Sequence, residues 1–196
     1  MIDGAIGLVA AGDMENLVIA LKALGERHAG YGTEEAHYPV VAKALIKTLK
    51  QGLGDHFTAE SEKAWTELYG VMQKTMIEGA ASAKGKELLA AYKKRVEDEK
   101  KDPSKKYETK EETKDDDESE AKKADEPAAK KDEGKKLTGN ELVIATWAKI
   151  PAVYHATFGN LFYRNLFKTA PTLPSTLFRG LDMKVQAEKL IGMVKT

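Results

Sequence analysis

Cysteine is absent from the 196-residue chain, which excludes disulfides, cysteine-ligated metal centres and any thiol nucleophile. A charge surplus is missing too: 31 basic and 31 acidic side chains cancel, so net charge points to neither nucleic acid nor an anionic membrane surface as partner. No apolar run approaches membrane-spanning length, and the apolar stretch 1–11 carries Asp3 and no basic leader, a poor match to a signal peptide. A soluble, cytoplasmic protein is the expectation. Large apolar residues are also scarce between residues 97 and 136, where Lys, Glu, Asp, Ser, Thr and Ala dominate and Tyr107 stands alone. Such a segment cannot bury enough surface to offset the entropy of ordering it, and it reads as a flexible charged linker. Interaction tail is its second reading.

What remains, roughly 150 residues, is enough for one well-buried core. Apolar side chains on both sides of the linker recur at helical rather than alternating spacing, so the expected class is all-α. Leu17, Leu21 and Leu24 form a stripe whose next member is His28, and glycines at 30 and 32 close that helix. A second helix is expected from His37-Tyr38-Pro39 through Val41, Leu45 and Leu49 to Gly52 and Gly54. Thr58 should cap a third, burying Trp65, Leu68, Met72 and Met76, with a charged extension lengthening it toward Arg95. Beyond the linker, Thr138-Gly139-Asn140-Glu141 fits a capping box before a helix that stops ahead of Pro151. Phe158, Leu161, Phe162 and Leu166 mark the next helix, a proline-rich corner runs from 168 to 179, and Gln186, Leu190 and Met193 share a face of the last. Joined end to end, the termini would continue that helix: Leu190, Val194, Ile2, Ile6 and Val9 follow at nearly helical spacing. The order reads as a circle opened inside a helix.

Taken as 137–196 followed by 1–96, the chain resembles the globin family, in particular the single-domain bacterial globins and the haem domain of flavohaemoglobins. The likeness rests on Phe158-Gly159-Asn160-Leu161-Phe162-Tyr163, the corner Pro171 to Phe178, Gln186-Ala187-Glu188-Lys189-Leu190, Leu24-Gly25-Glu26-Arg27-His28, His37-Tyr38-Pro39-Val40-Val41 and Ala64-Trp65-Thr66-Glu67-Leu68-Tyr69 in the right cyclic order. It implies a circularly permuted globin fold: 1–96 as the C-terminal part of a globin, 97–136 as linker, 137–196 as the N-terminal part. By random-coil scaling the linker's forty or so residues would span roughly 35 Å.

The resemblance implies haem b (iron protoporphyrin IX) as cofactor and His28 as the iron ligand. Alone, an inward histidine is ordinarily a satisfied core residue; the flanking pattern reverses that reading. Phe178, Leu190, Tyr38 and Val41 are the implied haem contacts. Phe178 read alone is an ordinary core aromatic, and Tyr38 is expected near His28. Tyr163 and Gln186, with Leu190 closing the pocket, are implied as the distal wall. A hydrogen bond from either to a ligand with partial negative charge adds about 1.5–3 kcal/mol. Without the family frame, Tyr163 is a boundary tyrosine and Gln186 a solvent-facing one. The glutamate that flavohaemoglobins place beside the proximal tyrosine is replaced by Ala80, with Glu78 near but directed elsewhere, which argues against peroxidase-like chemistry. His56 and His155 are expected at the surface.

The implied function is reversible binding of dioxygen, carbon monoxide and nitric oxide, as carrier, store or sensor. Nitric oxide dioxygenation with a separate reductase is the enzyme alternative. A third reading is a piece of a tandem polyglobin acting as a regulatory or interaction module, whose halves could swap between chains into an oligomer.

Overall fold

A computed structural model describes residues 2–102, 137, 139–150 and 155–191, with eight α-helices and no strand among them. The all-α expectation stands. The linker reading of 103–136 lies outside the described residues, as do Thr138, Pro151, Met193 and Val194.

α1 (Ile2–Ala11) buries Ile2, Ala5, Ile6 and Val9 on one face. Gly12, at φ 71°, ends it, and Asp13 opens the next helix by accepting from the Asn16 amide at 3.2 Å. α2 (Met14–Gly30) carries the expected stripe, with Leu17, Leu21, Gly25 and Ala29 buried and His28 half-buried beside them. α3 (His37–Leu53) begins and ends where its proline and glycines indicate. α4 (Ala59–Ala80) is capped by Thr58, whose Oγ1 accepts from the Ser61 amide, a contact of a kind worth about 1 kcal/mol.

One local expectation fails. The charged extension does not lengthen α4: the chain turns at Ala81, Ser82 caps a separate helix by accepting from the Gly85 amide at 3.0 Å, and α5 runs Ala83–Lys101. It therefore passes residue 97, the expected start of the linker. A Ser hydroxyl free to bond a backbone amide offers the chain a better local partner than continuing the helix does. The helix after the linker, α6 (Asn140–Trp147), begins at Gly139; the capping box expected from Thr138 lies outside the described residues.

α7 (His155–Thr169) and α8 (Met183–Ile191) are joined by the proline corner, which contains a short 3-10 turn over Leu173–Ser175. α2 packs on α4 and α5, α3 on α7, α4 on α6 and α7 on α8, so both sides of the linker share one core. The α2–α4 crossing is close because glycine faces backbone: a Cβ on Gly25 would overlap the Met76 carbonyl, and one on Gly79 the Lys22 carbonyl. Polar bonds also join the two parts. Trp65 Nε1 donates to Thr146 Oγ1 at 2.8 Å, Asn165 Nδ2 to Thr48 Oγ1 at 3.0 Å and Gln51 Oε1 at 2.8 Å, and the Trp147 indole to the Asp3 carboxylate. Trp65, Trp147 and Phe158 stack in sequence, with ring centroids 5.9 and 5.4 Å apart.

Candidate functional site

The helices enclose a cavity of about 100 Å³ whose walls come from both parts of the chain. Ile2, Ala5 and Ile6 of α1 and Leu190 of α8 form one side; His28 and Thr33 face it with Tyr38, Val41 and Leu45 of α3; Tyr69, Met72 and Met76 of α4 and Phe162 of α7 complete it. The lining is apolar apart from a few groups of defined chemistry.

His28 is the most informative of these. Its Nδ1 lies 2.9 Å from the Leu24 carbonyl oxygen. A carbonyl only accepts, so Nδ1 carries the proton and Nε2 keeps its lone pair for a ligand. Burial lowers the ring's pKa below the usual 6.5, overcoming the opposing pull of that carbonyl, with Arg27 adding to the lowering. The imidazole is thus neutral, oriented and able to donate. Glu26 on the same turn accepts from the Ser82 hydroxyl at 2.8 Å.

Tyr38 is buried on the same wall, and its hydroxyl has no hydrogen-bond partner. Tyr69 donates to the Tyr38 backbone carbonyl at 3.0 Å. Burial raises the pKa of both phenols, with each other's proximity adding to the rise at Tyr69. His37 also lines the cavity and accepts the Glu34 amide on Nδ1 at 2.9 Å. Glu78 reaches out to Lys22, 3.6 Å away on the exposed surface, and Ala80 contributes no acid.

Of the residues singled out from sequence, His28, Tyr38, Val41 and Leu190 meet at this cavity. Tyr163, Gln186 and Phe178 do not line it. Tyr163 donates to the Gln186 backbone carbonyl at 3.3 Å, and its ring sits in an aromatic cluster with Phe162, Phe167 and Phe178 at centroid distances of 5.2, 5.9 and 5.5 Å. Burial raises its pKa to about 12, so it stays a neutral phenol and a donor. Ile2, Ile6, Phe162, Thr33 and Tyr69 are cavity residues missed as such in the sequence. Leu190, Ile2 and Ile6 did share one inferred stripe, the signal that could have placed all three on one wall.

Residues 5–76 match the family model described as Globin. Over this stretch the chain is similar to the globin family. The chain is 45% identical over 49 residues to leghemoglobin-1 of Lupinus luteus, covering 25% of this chain and 32% of the relative. It is 36% identical over 62 residues to the flavohemoprotein of Bacillus subtilis (strain 168), covering 32% of this chain and 16% of the relative. It is 43% identical over 49 residues to an anaerobic nitrite reductase of Arabidopsis thaliana, covering 25% of this chain and 31% of the relative. The chain thus spans about a third or less of the length of these relatives, and no solved structure matches it.

The donor set fits the flat apolar macrocycle with one axial position that the family implies: one neutral imidazole on an apolar wall, an unpartnered buried phenol beside it, and no group of three or more acidic or histidine side chains among the described residues that would hold a free metal ion instead. The space is smaller than the ~300 Å³ or more of ordinary small-molecule pockets.

Proposed function

We propose that this chain is a haem-binding globin, in circularly permuted order, that takes up dioxygen and other diatomic gases reversibly as carrier, store or sensor. The observation that carries the reading is His28: a half-buried imidazole whose Nδ1–H is tied to a carbonyl, leaving Nε2 to coordinate at the wall of an apolar cavity. When bound, haem b would supply the iron centre at which dioxygen, carbon monoxide or nitric oxide binds. The protein supplies the rest. His28 would anchor the group from α2, and Tyr38, Val41 and Leu190, which line the same cavity, would pack against it.

The permuted order is supported by the way 139–191 packs on 2–80, and by the meeting of Ile2, Ala5 and Ile6 with Leu190 on one cavity wall. Tyr163 and Gln186 are the proposed distal donors and Phe178 a haem contact. For that role Tyr163 must exchange the Gln186 carbonyl, its acceptor here, for the ligand.

The test is the visible spectrum of protein reconstituted with one equivalent of haem, in ferric, reduced and oxygenated states, beside the same spectra for His28→Ala. The expected result is a five-coordinate ferrous spectrum that converts cleanly on oxygenation and is lost or scrambled in the variant. Failure of the wild type to take up stoichiometric haem, or an unchanged variant, would sink the reading.

A further inference from the structure

α5 lies beyond residues 5–76, the stretch that matches the family, yet it is seated on the helix that carries His28. The C-terminal turn of α2 is a Schellman motif: the Thr33 amide donates to the His28 carbonyl at 3.0 Å and the Gly32 amide to the Ala29 carbonyl at 2.9 Å, with Gly32 at φ 81°. His28 is therefore held through its own backbone carbonyl by the turn that follows it. That turn is covered by α5. The Tyr92 ring lies so close over Gly32 that a Cβ there would overlap it, and Leu88 Cβ stands 3.3 Å from where a Cβ on Gly30 would be. On the other side of His28, Glu26 takes the Ser82 hydroxyl at 2.8 Å and stands 3.7 Å from the Lys84 ammonium. Arg95 lies over the Tyr92 ring, its guanidinium carbon 5.3 Å from the centroid, and covers the outer side of the contact.

We propose that α5 is a brace for α2 and that Tyr92 is a positioning residue for His28, acting through Gly32 and the turn that caps the His28 carbonyl. The inference rests on the reading of His28 as the iron ligand. Contacts at residues 26, 30 and 32 bracket position 28, so the imidazole's tilt is set from outside the cavity. A half-exposed ring on a glycine turn suits this task. It adds packing to a segment whose hydrogen bonds would otherwise open to solvent as a fraying helix end, without entering the cavity itself.

The experiment compares wild type, Tyr92→Ala and Tyr92→Phe in two states. In the haem-free chain, amide hydrogen exchange at Gly32 and Thr33 should be about tenfold faster in Tyr92→Ala, and Tyr92→Phe should restore it. In the haem-reconstituted chain, the iron–histidine stretching band of the ferrous protein should shift and broaden in Tyr92→Ala and return in Tyr92→Phe. Unchanged exchange in Tyr92→Ala overturns the brace. Faster exchange with an unmoved iron–histidine band overturns the positioning role, because α5 would then stabilise the turn alone. A wild type with no iron–histidine band, or a band that survives His28→Ala, overturns the ligand reading on which the proposal stands, a failure distinguishable from the other two by the exchange data.

Discussion

The two sides of the cavity are built on different principles. On the α2 side, backbone packs on backbone: Gly25 against the Met76 carbonyl, Gly79 against the Lys22 carbonyl, and a capped turn under α5. His28 is fixed there by an acceptor four residues back on its own helix. On the α7–α8 side, the central contact is a cluster of four aromatic rings, and Tyr163 reaches across 23 residues to a carbonyl at the longer distance of 3.3 Å. A group held by its own helix arrives pointed in the right direction as soon as the helix forms. A group held by a neighbouring helix points wherever that neighbour leaves it an acceptor. The difference explains why His28 stands at the cavity and Tyr163 stands beside it.

The largest test of the contrast is steric. Gly25→Val should destabilise the chain by about 3 kcal/mol in urea unfolding, since the new side chain meets backbone that cannot yield. Gly159→Ala, whose Cβ would stand 2.7 Å from the Ala187 carbonyl oxygen, should cost about 1–2 kcal/mol despite alanine's better helix propensity. Equal costs for Gly25→Ala and Gly159→Ala would dissolve the distinction between the two sides. Trp65→Phe removes the indole bond to Thr146 that ties α4 to α6 and should cost about 1–2 kcal/mol in the same assay.

Tyr163→Phe should cost only about 0.5 kcal/mol, because its bond is long and its acceptor lies near the weak end of the range. If Tyr163 turns to the ligand when haem is bound, the same variant should release dioxygen about tenfold faster in stopped flow. An unchanged release rate removes Tyr163 from the distal wall. The smallest effect is that of pH. His28 has a folded pKa below its unfolded 6.5, so as pH falls the unfolded chain takes up this proton first. Its contribution to stability is intact above pH 6.5, declines below that value, and is lost as pH falls through the folded pKa. Haem-free His28→Leu should show a flatter profile in that window.

Much of the α2 side was legible in the sequence. The stripe from Leu17 to His28, the closing glycines, the Thr58 cap and the helix start at His37-Tyr38-Pro39 are local patterns whose physics acts within one or two turns. The break at Ser82 was less so. Leu88, Leu89 and Tyr92 can be read as continuing the apolar face of α4, whereas the turn at Ala81, the Ser82 cap and packing onto Gly30 and Gly32 make α5 a separate helix.

By itself the sequence determined the helical class, the family likeness of residues 5–76 and the inward aim of His28, because periodicity is a property of the chain taken a few residues at a time. Only the tertiary structure decided which side chains share the cavity, that Tyr163 bonds Gln186 across the corner, and that α5 folds back over the turn behind His28. Those depend on how close two helices can approach, and that distance is set by pairs of residues far apart in the chain, glycine on one helix and carbonyl or ring on the other.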